Sequence, residues 1–313
     1  MKPKIMMISM KSNLRIVRYI GLLLMFIFCL TAQNMMAQRG KLFNSDNQLS
    51  SNLATQVFQD SNGFIWIATR NGLNIYDGYN FMVIRKAYNN CNGLNSNYIN
   101  CITQDEKGRI VLGTNKSLLI LNGKRFCNVP MLDSRNKPIS TYVTQVSRLH
   151  NGDIAVATSG YGIMTKKIDA NACYTMKGEV ENLKYIHKIL EDKQERLWII
   201  LENGKLYRKE KNGKLVSRIM GTEQLNIQDI RQDDKGNIYL ATKNDGVYLL
   251  KAGSTAFTKI AGIGNLPIGN IYISRDQRLF IGCDGMGIFV YNPVTGFLQN
   301  NPLFSREVNI AKS

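Results

Sequence analysis

The stretch DSNGFIWIATRNGLNIY at residues 60–76 decides the fold. It starts with a turn motif at 60–63, continues as an apolar segment around Trp66, and turns again at Asn71-Gly72 before a second apolar segment. Glycine adopts backbone angles that other residues resist, and Asn-Gly is a preferred two-residue hairpin turn. The stretch therefore predicts two short antiparallel strands, with one tight turn before them and another between them.

The same frame occurs five more times along the chain. The recurrences are DEKGRIVLGT at 105–114, NGDIAVAT at 151–158, DKQERLWIIL at 192–201, DDKGNIYLAT at 233–242 and DQRLFIGC at 276–283. The anchor of each copy is the glycine of its first turn, or the residue that replaces it, and the anchors are residues 63, 108, 152, 195, 236 and 277. Six copies spaced 41 to 45 residues apart indicate a repeat architecture.

Each copy predicts four short antiparallel strands. An apolar residue lies six positions before every anchor, and the segments that follow are short apolar runs or alternate with period two, never with the period of a helix. A solenoid of parallel strands would not need hairpin turns, and a sandwich would not repeat its sequence. The sequence therefore predicts an all-β fold over 38–313, a β-propeller of four-stranded antiparallel blades, with six complete repeats and the start of a seventh at 304–313.

The repeat also assigns structural roles to its most conspicuous residues. The first turns are predicted to be structural, and their residues are Asp60, Gly63, Asp105, Gly108, Gly152 and Gly236. One template position, three residues after the anchor, is large and apolar in most copies, which predicts packing between blades rather than ligand stacking. The residues predicted for this inter-blade core are Trp66, Trp198, Tyr239 and Phe280.

Composition and the N-terminus bear on location. The 313 residues are 44% hydrophobic and 20% charged, which excludes a disordered tail and a polytopic membrane protein. Residues 1–37 contain basic residues and no acidic ones, followed within that segment by an apolar run at 19–30, as in a secretory signal peptide; an uncleaved anchor is the alternative. The remaining excess of the +17 net charge is spread out, so direct nucleic-acid binding is not expected.

At Asn52–Gly78 the first copy resembles the two-component-regulator propeller repeat. It is especially similar to the first blade of the periplasmic sensor region in hybrid two-component systems (histidine kinase and response regulator) of Bacteroides-type bacteria. The spacer at 93–97 matches the same pattern. The third and fourth copies are looser, since His150 replaces the turn acid and Glu195 replaces the glycine.

The resemblance implies a function in sensing. In this family two seven-bladed propellers precede a small β-sandwich, a membrane helix, a kinase, a receiver and a DNA-binding domain, and the propellers sense glycan fragments in the periplasm. It implies an oligosaccharide ligand, and partners in a second propeller and C-terminal signalling domains; a homodimer is left open. Because the repeat stops within a seventh copy, we expect an N-terminal fragment of a longer sensor. A complete six-bladed protein is the alternative.

The loops between the second and third strands are the predicted binding site, because they share one end of the propeller with the starts of the first strands. Amide and hydroxyl groups there suit sugar hydroxyls, and the basic side chains suit a uronate or sulfate. The predicted ligand residues are Arg70, Asn71, Asn115, Lys116, Tyr161, Asn203, Lys243, Asn244 and Asp284.

Chemistry of other kinds has little support in the sequence. It has no metal-ligand spacing and no nucleophile or phosphate-binding motif, so we expect no metal, no cofactor and no catalytic residue. Kinase activity is not expected in this chain. Two rival functions remain: a secreted propeller lyase or glycosidase that acts on anionic polysaccharide, and a scaffold that does not signal.

Overall fold

A computed structural model describes residues 43–46, 48–86 and 93–300. These residues all belong to one compact unit, Phe43–Ser313. The predicted signal segment at 1–37, the start of a seventh blade at 304–313 and Cys91 lie outside the described residues. Within the described ranges, no helix has the length and apolar character needed to cross a membrane.

Six antiparallel sheets follow one another around a ring, which confirms the predicted β-propeller. In each sheet the strand that leads into the anchor turn is innermost, and the blades pack in chain order through these inner strands. Blade 1 contains β1 (Ala54–Gln59), β2 (Ile65–Thr69), β3 (Gly72–Tyr76) and β4 (Phe81–Ile84), and blade 2 contains β5 (Ile99–Gln104), β6 (Ile110–Thr114), β7 (Leu118–Asn122) and β8 (Arg125–Val129).

The other four blades repeat this order. Blade 3 contains β9 (Met131–Leu132), β10 (Pro138–Ile139), β11 (Tyr142–Arg148), β12 (Ile154–Ser159), β13 (Ile163–Lys166) and β14 (Cys173–Thr175). Blade 4 contains β15 (Ile186–Glu191), β16 (Leu197–Leu201), β17 (Leu206–Lys209) and β18 (Leu215–Val216). Blade 5 contains β19 (Ile227–Gln232), β20 (Ile238–Thr242), β21 (Val247–Leu250) and β22 (Thr258–Lys259), and blade 6 contains β23 (Ile268–Ile273), β24 (Leu279–Cys283), β25 (Gly287–Asn292) and β26 (Phe297–Asn300).

Irregular additions occur in three blades. In blade 3 the hairpin of β9 and β10 extends the sheet to six strands, because β9 pairs in parallel with the outer strand β14. This pairing covers a backbone edge that would otherwise be exposed. Short 3-10 helices occupy Glu179–Asn182, before blade 4, and Ala261–Ile263, before blade 6.

The first turn of each blade is closed by the same backbone hydrogen bond, from the anchor amide to the carbonyl three residues earlier, and in blades 1, 2, 4 and 5 an aspartate adds side-chain bonds. In blade 1 one Asp60 carboxylate oxygen accepts the amides of Asn62 and Phe64 at 2.9 and 3.0 Å, and the other accepts Trp66 Nε1 at 2.7 Å. The anchor has a positive φ in every copy, from +59° at Glu195 to +89° at Gly63. Glu195 and Gln277 therefore adopt the left-handed conformation that glycine adopts in the other copies.

In blades 3 and 6 the residue that takes the place of the turn aspartate is not the one that the repeat pattern predicts. Three residues before the anchor stand Leu149 and Ser274, whose carbonyl oxygens close the turns by accepting the anchor amides. His150 therefore does not replace the turn acid, since it lies one residue later. Ser274 Oγ accepts the Arg278 amide at 3.1 Å, as the carboxylate does in other blades.

The space between blades is filled by the predicted large residues, with one exception. Trp66, Trp198 and Tyr239 are buried, whereas Phe280 is only partly buried. Phe280 lies on the face of blade 6 that is turned away from blade 5. At the other end of the series, Val57 of blade 1 is 62% exposed, although its equivalents in the other blades are at most 4% exposed. These equivalents are Ile102, Val146, Ile189, Ile230 and Ile271.

Candidate functional site at the channel mouth

A β-bulge interrupts each inner strand near its beginning, eight residues before the anchor. Its register shifts lie between Ala54 and Gln56 in blade 1 and between Ile99 and Cys101 in blade 2, and the other four inner strands shift at the same place. A bulge leaves one residue outside the regular pairing and re-aims its side chain. The bulged residues are Thr55, Asn100, Thr144, His187, Gln228 and Gly269.

Four of the bulged side chains bond to the next blade. Thr55 Oγ1 donates to the Ile99 carbonyl at 2.6 Å, and Thr144 Oγ1 donates to the Ile186 carbonyl at 2.7 Å. Asn100 Nδ2 donates to the Val143 carbonyl at 2.8 Å. His187 Nε2 lies 3.1 Å from the Gln228 carbonyl, which fixes that nitrogen as the protonated one. These bonds hold the side chains in place around the start of the channel.

A cavity of about 400 Å³ opens at this end of the channel, and we call it the mouth cavity. Its size lies within the range of small-molecule sites. The lining is contributed by blades 1 to 4 and consists of Leu53, Ala54, Thr55, Arg70, Tyr98, Asn100, Tyr142, Thr144 and His187.

Two tyrosines and an arginine form the most distinctive part of the mouth cavity. The guanidinium carbon of Arg70 lies 5.4 Å from the ring centroid of Tyr98, a cation–π contact. The rings of Tyr98 and Tyr142 meet edge to face at 6.0 Å. Among the described residues, Arg70 has no carboxylate within ion-pair distance, so its charge is available to a ligand.

Burial alters the acid–base behaviour of two side chains in the mouth cavity. It raises the pKa of Tyr142, and the neighbouring Tyr98 hydroxyl adds to this shift, so Tyr142 stays a neutral donor near neutral pH. It lowers the pKa of His187, with a further contribution from the Lys188 charge. The mouth cavity therefore presents one positive charge, from Arg70, among neutral hydrogen-bonding groups.

Asn100 provides an unpaired acceptor at the same place. Its side chain is 9% exposed, and Oδ1 has no hydrogen-bond partner in the described part of the chain. A buried polar atom without a partner is costly, and the cost is relieved when a ligand or water donates to it. The mouth cavity thus combines aromatic faces, a cation and a buried acceptor.

The structure brings only one of the nine predicted ligand residues into this cavity. Arg70 lines it, whereas the other eight side chains do not. Several of these make local hydrogen bonds instead: Asn115 Oδ1 accepts Ser96 Oγ at 2.8 Å, and Asn203 Oδ1 accepts the Lys205 amide at 3.1 Å. Such bonds explain loop conformation, and a ligand role for these eight residues remains a prediction.

The sequence analysis missed the tyrosines, although the repeat contains a signal for them. Tyr98, Tyr142 and Tyr185 each lie ten residues before an anchor, in three consecutive copies. Tyr185 is 59% exposed, and Tyr142 is 39% exposed. The recurrence of tyrosine at this template position is the sequence signal that points to Tyr98 and Tyr142.

Other site types receive no support from the described residues. No group of three or more His, Cys, Asp and Glu side chains could hold a metal ion in the ranges that the structure covers. In the same ranges, no carboxylate lies within ion-pair distance of His187. The arrangement is suited to binding a polar ligand with a partly apolar face.

The protein is a propeller with a ligand-sized cavity at the mouth of its channel. Comparison with known proteins shows which propellers it is similar to. Residues 48–71 and 93–116 match the family model described as "Two component regulator propeller". The resemblance seen in the sequence is thereby confirmed for the first two copies of the repeat. No curated protein sequence matches the chain.

Solved structures support the same assignment at the level of the fold. The extracellular domain of a putative hybrid two-component system from B. thetaiotaomicron matches with a TM-score of 0.71 at 20% identity, over 84% of this chain and 37% of that one. A second such domain from the same organism matches with a TM-score of 0.67 at 15% identity, over 80% and 36%. Virginiamycin B lyase from Staphylococcus aureus matches with a TM-score of 0.61 at 13% identity, over 80% and 84%.

These likenesses have two consequences. At such identities they show the propeller fold, which is shared by sensor domains and by lyases, so the fold alone does not choose between them. The chain also spans little more than a third of the length of the two extracellular domains, 37% and 36%. The propeller resembles the sensor domains of hybrid two-component systems, and its ligand has to be argued from its own residues.

Proposed function

We propose that this chain is the ligand-binding propeller of a periplasmic sensor, and that it binds glycan fragments in the mouth cavity. In this proposal it is exported by its N-terminal segment and acts as the first propeller of a longer regulator. Binding is passed on to signalling domains that follow it. The propeller itself binds without turnover.

The observation that carries the proposal is the cluster of Arg70, Tyr98, Tyr142 and Asn100 in one cavity. A pyranose has an apolar face of C–H groups, which packs on aromatic rings, and a rim of hydroxyls, which pair with tyrosine hydroxyls and amide oxygens. Arg70 adds a partner for a carboxylate or sulfate. The family match and the resemblance to extracellular sensor domains support a sensing role for such a site.

Calorimetric titration with uronic-acid-containing and neutral oligosaccharides tests the proposal. Tyr142→Ala is expected to weaken binding of any bound glycan at least about tenfold, or about 1.4 kcal/mol. Tyr174→Ala is the matched control, because Tyr174 is similarly exposed, at 45%, but lies on the outer strand β14. Equal loss in both variants, or no binding across the panel, would contradict the proposal.

The alternative function is that of a lyase or glycosidase, because the propeller is also similar in structure to virginiamycin B lyase. His187 lines the mouth cavity, and a His-to-Ala variant of virginiamycin B lyase is described as catalytically inactive. Incubating the protein with each bound oligosaccharide and analysing the products separates the two functions. The sensor leaves the oligosaccharide intact, whereas new chain ends that disappear in His187→Ala would establish an enzyme.

A further inference from the structure

A second cavity, which we call the rim cavity, lies between blades 2 and 3 at the end where the Asp-x-x-Gly turns are found. Its volume is about 300 Å³. Three cationic side chains line it, Lys107, Arg109 and Lys166, against one carboxylate, Asp169. Asn122 and Asn128 of blade 2 and Asn171 of blade 3 also line it. The rim cavity is therefore polar and carries excess positive charge.

Lys166 is the unusual member of this set. It is the last residue of β13 and is only 5% exposed. Its Nζ donates to the carbonyls of Lys167 and Ile168 at 3.1 and 3.4 Å, and within the described ranges no carboxylate lies within 4.0 Å of it. At the same register, other blades have Tyr76, Leu250 and Tyr291 as well as Lys209.

A buried ammonium without a counter-ion is unfavourable. Taking a charge out of water is repaid only when an opposite charge and good hydrogen bonds replace the water. Here burial lowers the pKa of Lys166, and the charge of Arg109 adds to this effect, whereas the charge of Asp105 opposes it. A bound anion would oppose the lowering further by placing a negative charge next to the ammonium.

Two neighbouring carboxylates, Asp105 and Asp169, do not supply the opposite charge that the Lys166 ammonium needs. Asp105 is already paired with Arg109, through Nε at 2.8 Å and Nη2 at 2.7 Å. Asp169 is paired with Lys107 at 2.9 Å, on side chains that are 88% and 51% exposed. Arg109 uses Nε and Nη2 on Asp105, so Nη1 remains for another acceptor. The rim cavity therefore has donors from two blades and, at its base, an ammonium that no carboxylate of the described residues contacts.

We propose that the rim cavity is a binding site for a tetrahedral oxyanion, sulfate or phosphate, either as the free ion or as an ester group of a larger molecule. Lys166 neutralises the anion, and Arg109 and Lys107 donate to its other oxygens. The site joins blade 2 to blade 3 and is separate from the mouth cavity, so it does not depend on the proposed function.

Thermal unfolding in sodium sulfate and sodium phosphate tests the site, with sodium chloride at equal ionic strength as reference. The expected result for the native protein is a saturable rise in Tm with either oxyanion. Lys166→Met should lose that rise and should raise Tm in its absence, because it removes a desolvated charge. Lys167→Met, which removes the same charge from the exposed neighbouring side chain, should leave the rise unchanged.

A second measurement needs no variant. Cys127 lines the rim cavity and is exposed, so its alkylation by iodoacetamide, followed on its own peptide by mass spectrometry, reports occupancy. Sulfate should slow this alkylation at least fivefold more than chloride does. An alkylation rate that does not respond to oxyanion, or an equal loss of the Tm rise in Lys166→Met and Lys167→Met, would overturn the proposal.

Comparing glucose 6-sulfate and glucose 6-phosphate with the inorganic ions decides the source of the oxyanion. If the esters slow the alkylation of Cys127 at a tenfold lower concentration than the inorganic ions do, the natural ligand is an ester group of a larger molecule. Equal protection identifies the free ion. Retention of the oxyanion effect in Tyr142→Ala is expected in either case, which keeps this result distinct from glycan binding.

Discussion

Single carboxylates organise the first turns of blades 1, 2, 4 and 5, and Asp192 is the most buried of them, with a 0% exposed side chain. One oxygen accepts the amides of Gln194 and Arg196 at 2.9 and 3.0 Å, and the other accepts Arg196 Nε and Trp198 Nε1, both at 2.7 Å. This one side chain therefore joins the turn to the inter-blade core. Its loss would leave the Trp198 indole N–H without an acceptor and would remove the ion pair of the partly buried Arg196 guanidinium.

Asp192→Ala is expected to lower the free energy of unfolding by about 3–5 kcal/mol, because the partners of a buried charge are left unpaired. Asp276→Ala is the control, since the Asp276–Arg278 pair has a similar length of 2.6 Å but both side chains are about half exposed. An exposed pair contributes at most about 1 kcal/mol. Urea unfolding followed by tryptophan fluorescence measures both, and equal effects would contradict the role of burial.

Cysteine reactivity provides a second prediction at the scale of the residue. Burial raises the pKa of Cys101 and Cys173 to about 12 and that of Cys283 to about 11, so these thiols stay protonated at pH 8. Cys127 is exposed. Iodoacetamide should therefore alkylate Cys127 in the folded protein and the other three only after unfolding, as peptide mass spectrometry would show. Alkylation of Cys101 at the rate of Cys127 would mean that blades 2 and 3 separate in solution.

At the scale of the element, the inner strands are joined by side chains that follow the bulges. Gln145 Nε2 donates to the Ile189 carbonyl at 3.0 Å, and Gln145 Oε1 accepts the Ile189 amide at 2.8 Å. Gln56 makes the same pair of bonds to Ile102 at 3.1 and 3.0 Å. One amide side chain thus replaces the backbone partner that a neighbouring strand would supply, because inner strands of adjacent blades do not pair directly.

Gln145→Leu should lower the free energy of unfolding by about 2–4 kcal/mol, since it leaves the amide and carbonyl of Ile189 unpaired between two blades. Gln59→Leu is the matched control, because Gln59 is exposed and makes one bond of 3.3 Å to a nearby carbonyl. Chemical denaturation of the two variants side by side measures the difference. A loss below 1 kcal/mol in Gln145→Leu would show that water satisfies the two backbone groups.

A structural feature can be predicted from this sequence only if it recurs with the repeat. The strands, the anchor turns and the core position of Trp66 repeat six times, so the repeat predicts them well. The bulges do not appear in that pattern, because an extra residue shifts the alternation of side chains without changing residue types. For this reason the repeat does not identify Asn100, whereas Tyr142 belongs to a recurring tyrosine position that the predicted site does not use. The predicted loop residues, such as Asn203, rest on their side-chain chemistry alone.

At the scale of the whole molecule, blades 2 and 3 contribute to both proposed sites. The mouth cavity takes Tyr98 from the loop before β5 and Tyr142 from β11, and the rim cavity takes Arg109 and Lys166 from the opposite end of the same two blades. The contact between these two blades therefore supports part of the mouth cavity and all of the rim cavity. Its apolar part includes Val111, Val143 and Val146, which are at most 4% exposed.

Blade 1 differs from this interface, because within residues 43–300 as described no other blade packs against the apolar face that holds Val57. Val57→Lys is expected to change the free energy of unfolding by less than about 0.5 kcal/mol, as a substitution at an exposed position does. Ile102→Lys, at the same template position of blade 2, should cost more than about 4 kcal/mol, because it buries an unpaired charge between blades 1 and 2. Thermal unfolding combined with light scattering measures stability and mass together. A large loss in Val57→Lys, with a change of mass, would show that this face is covered by a second copy in solution, whereas a large loss at constant mass would show that the same chain covers it.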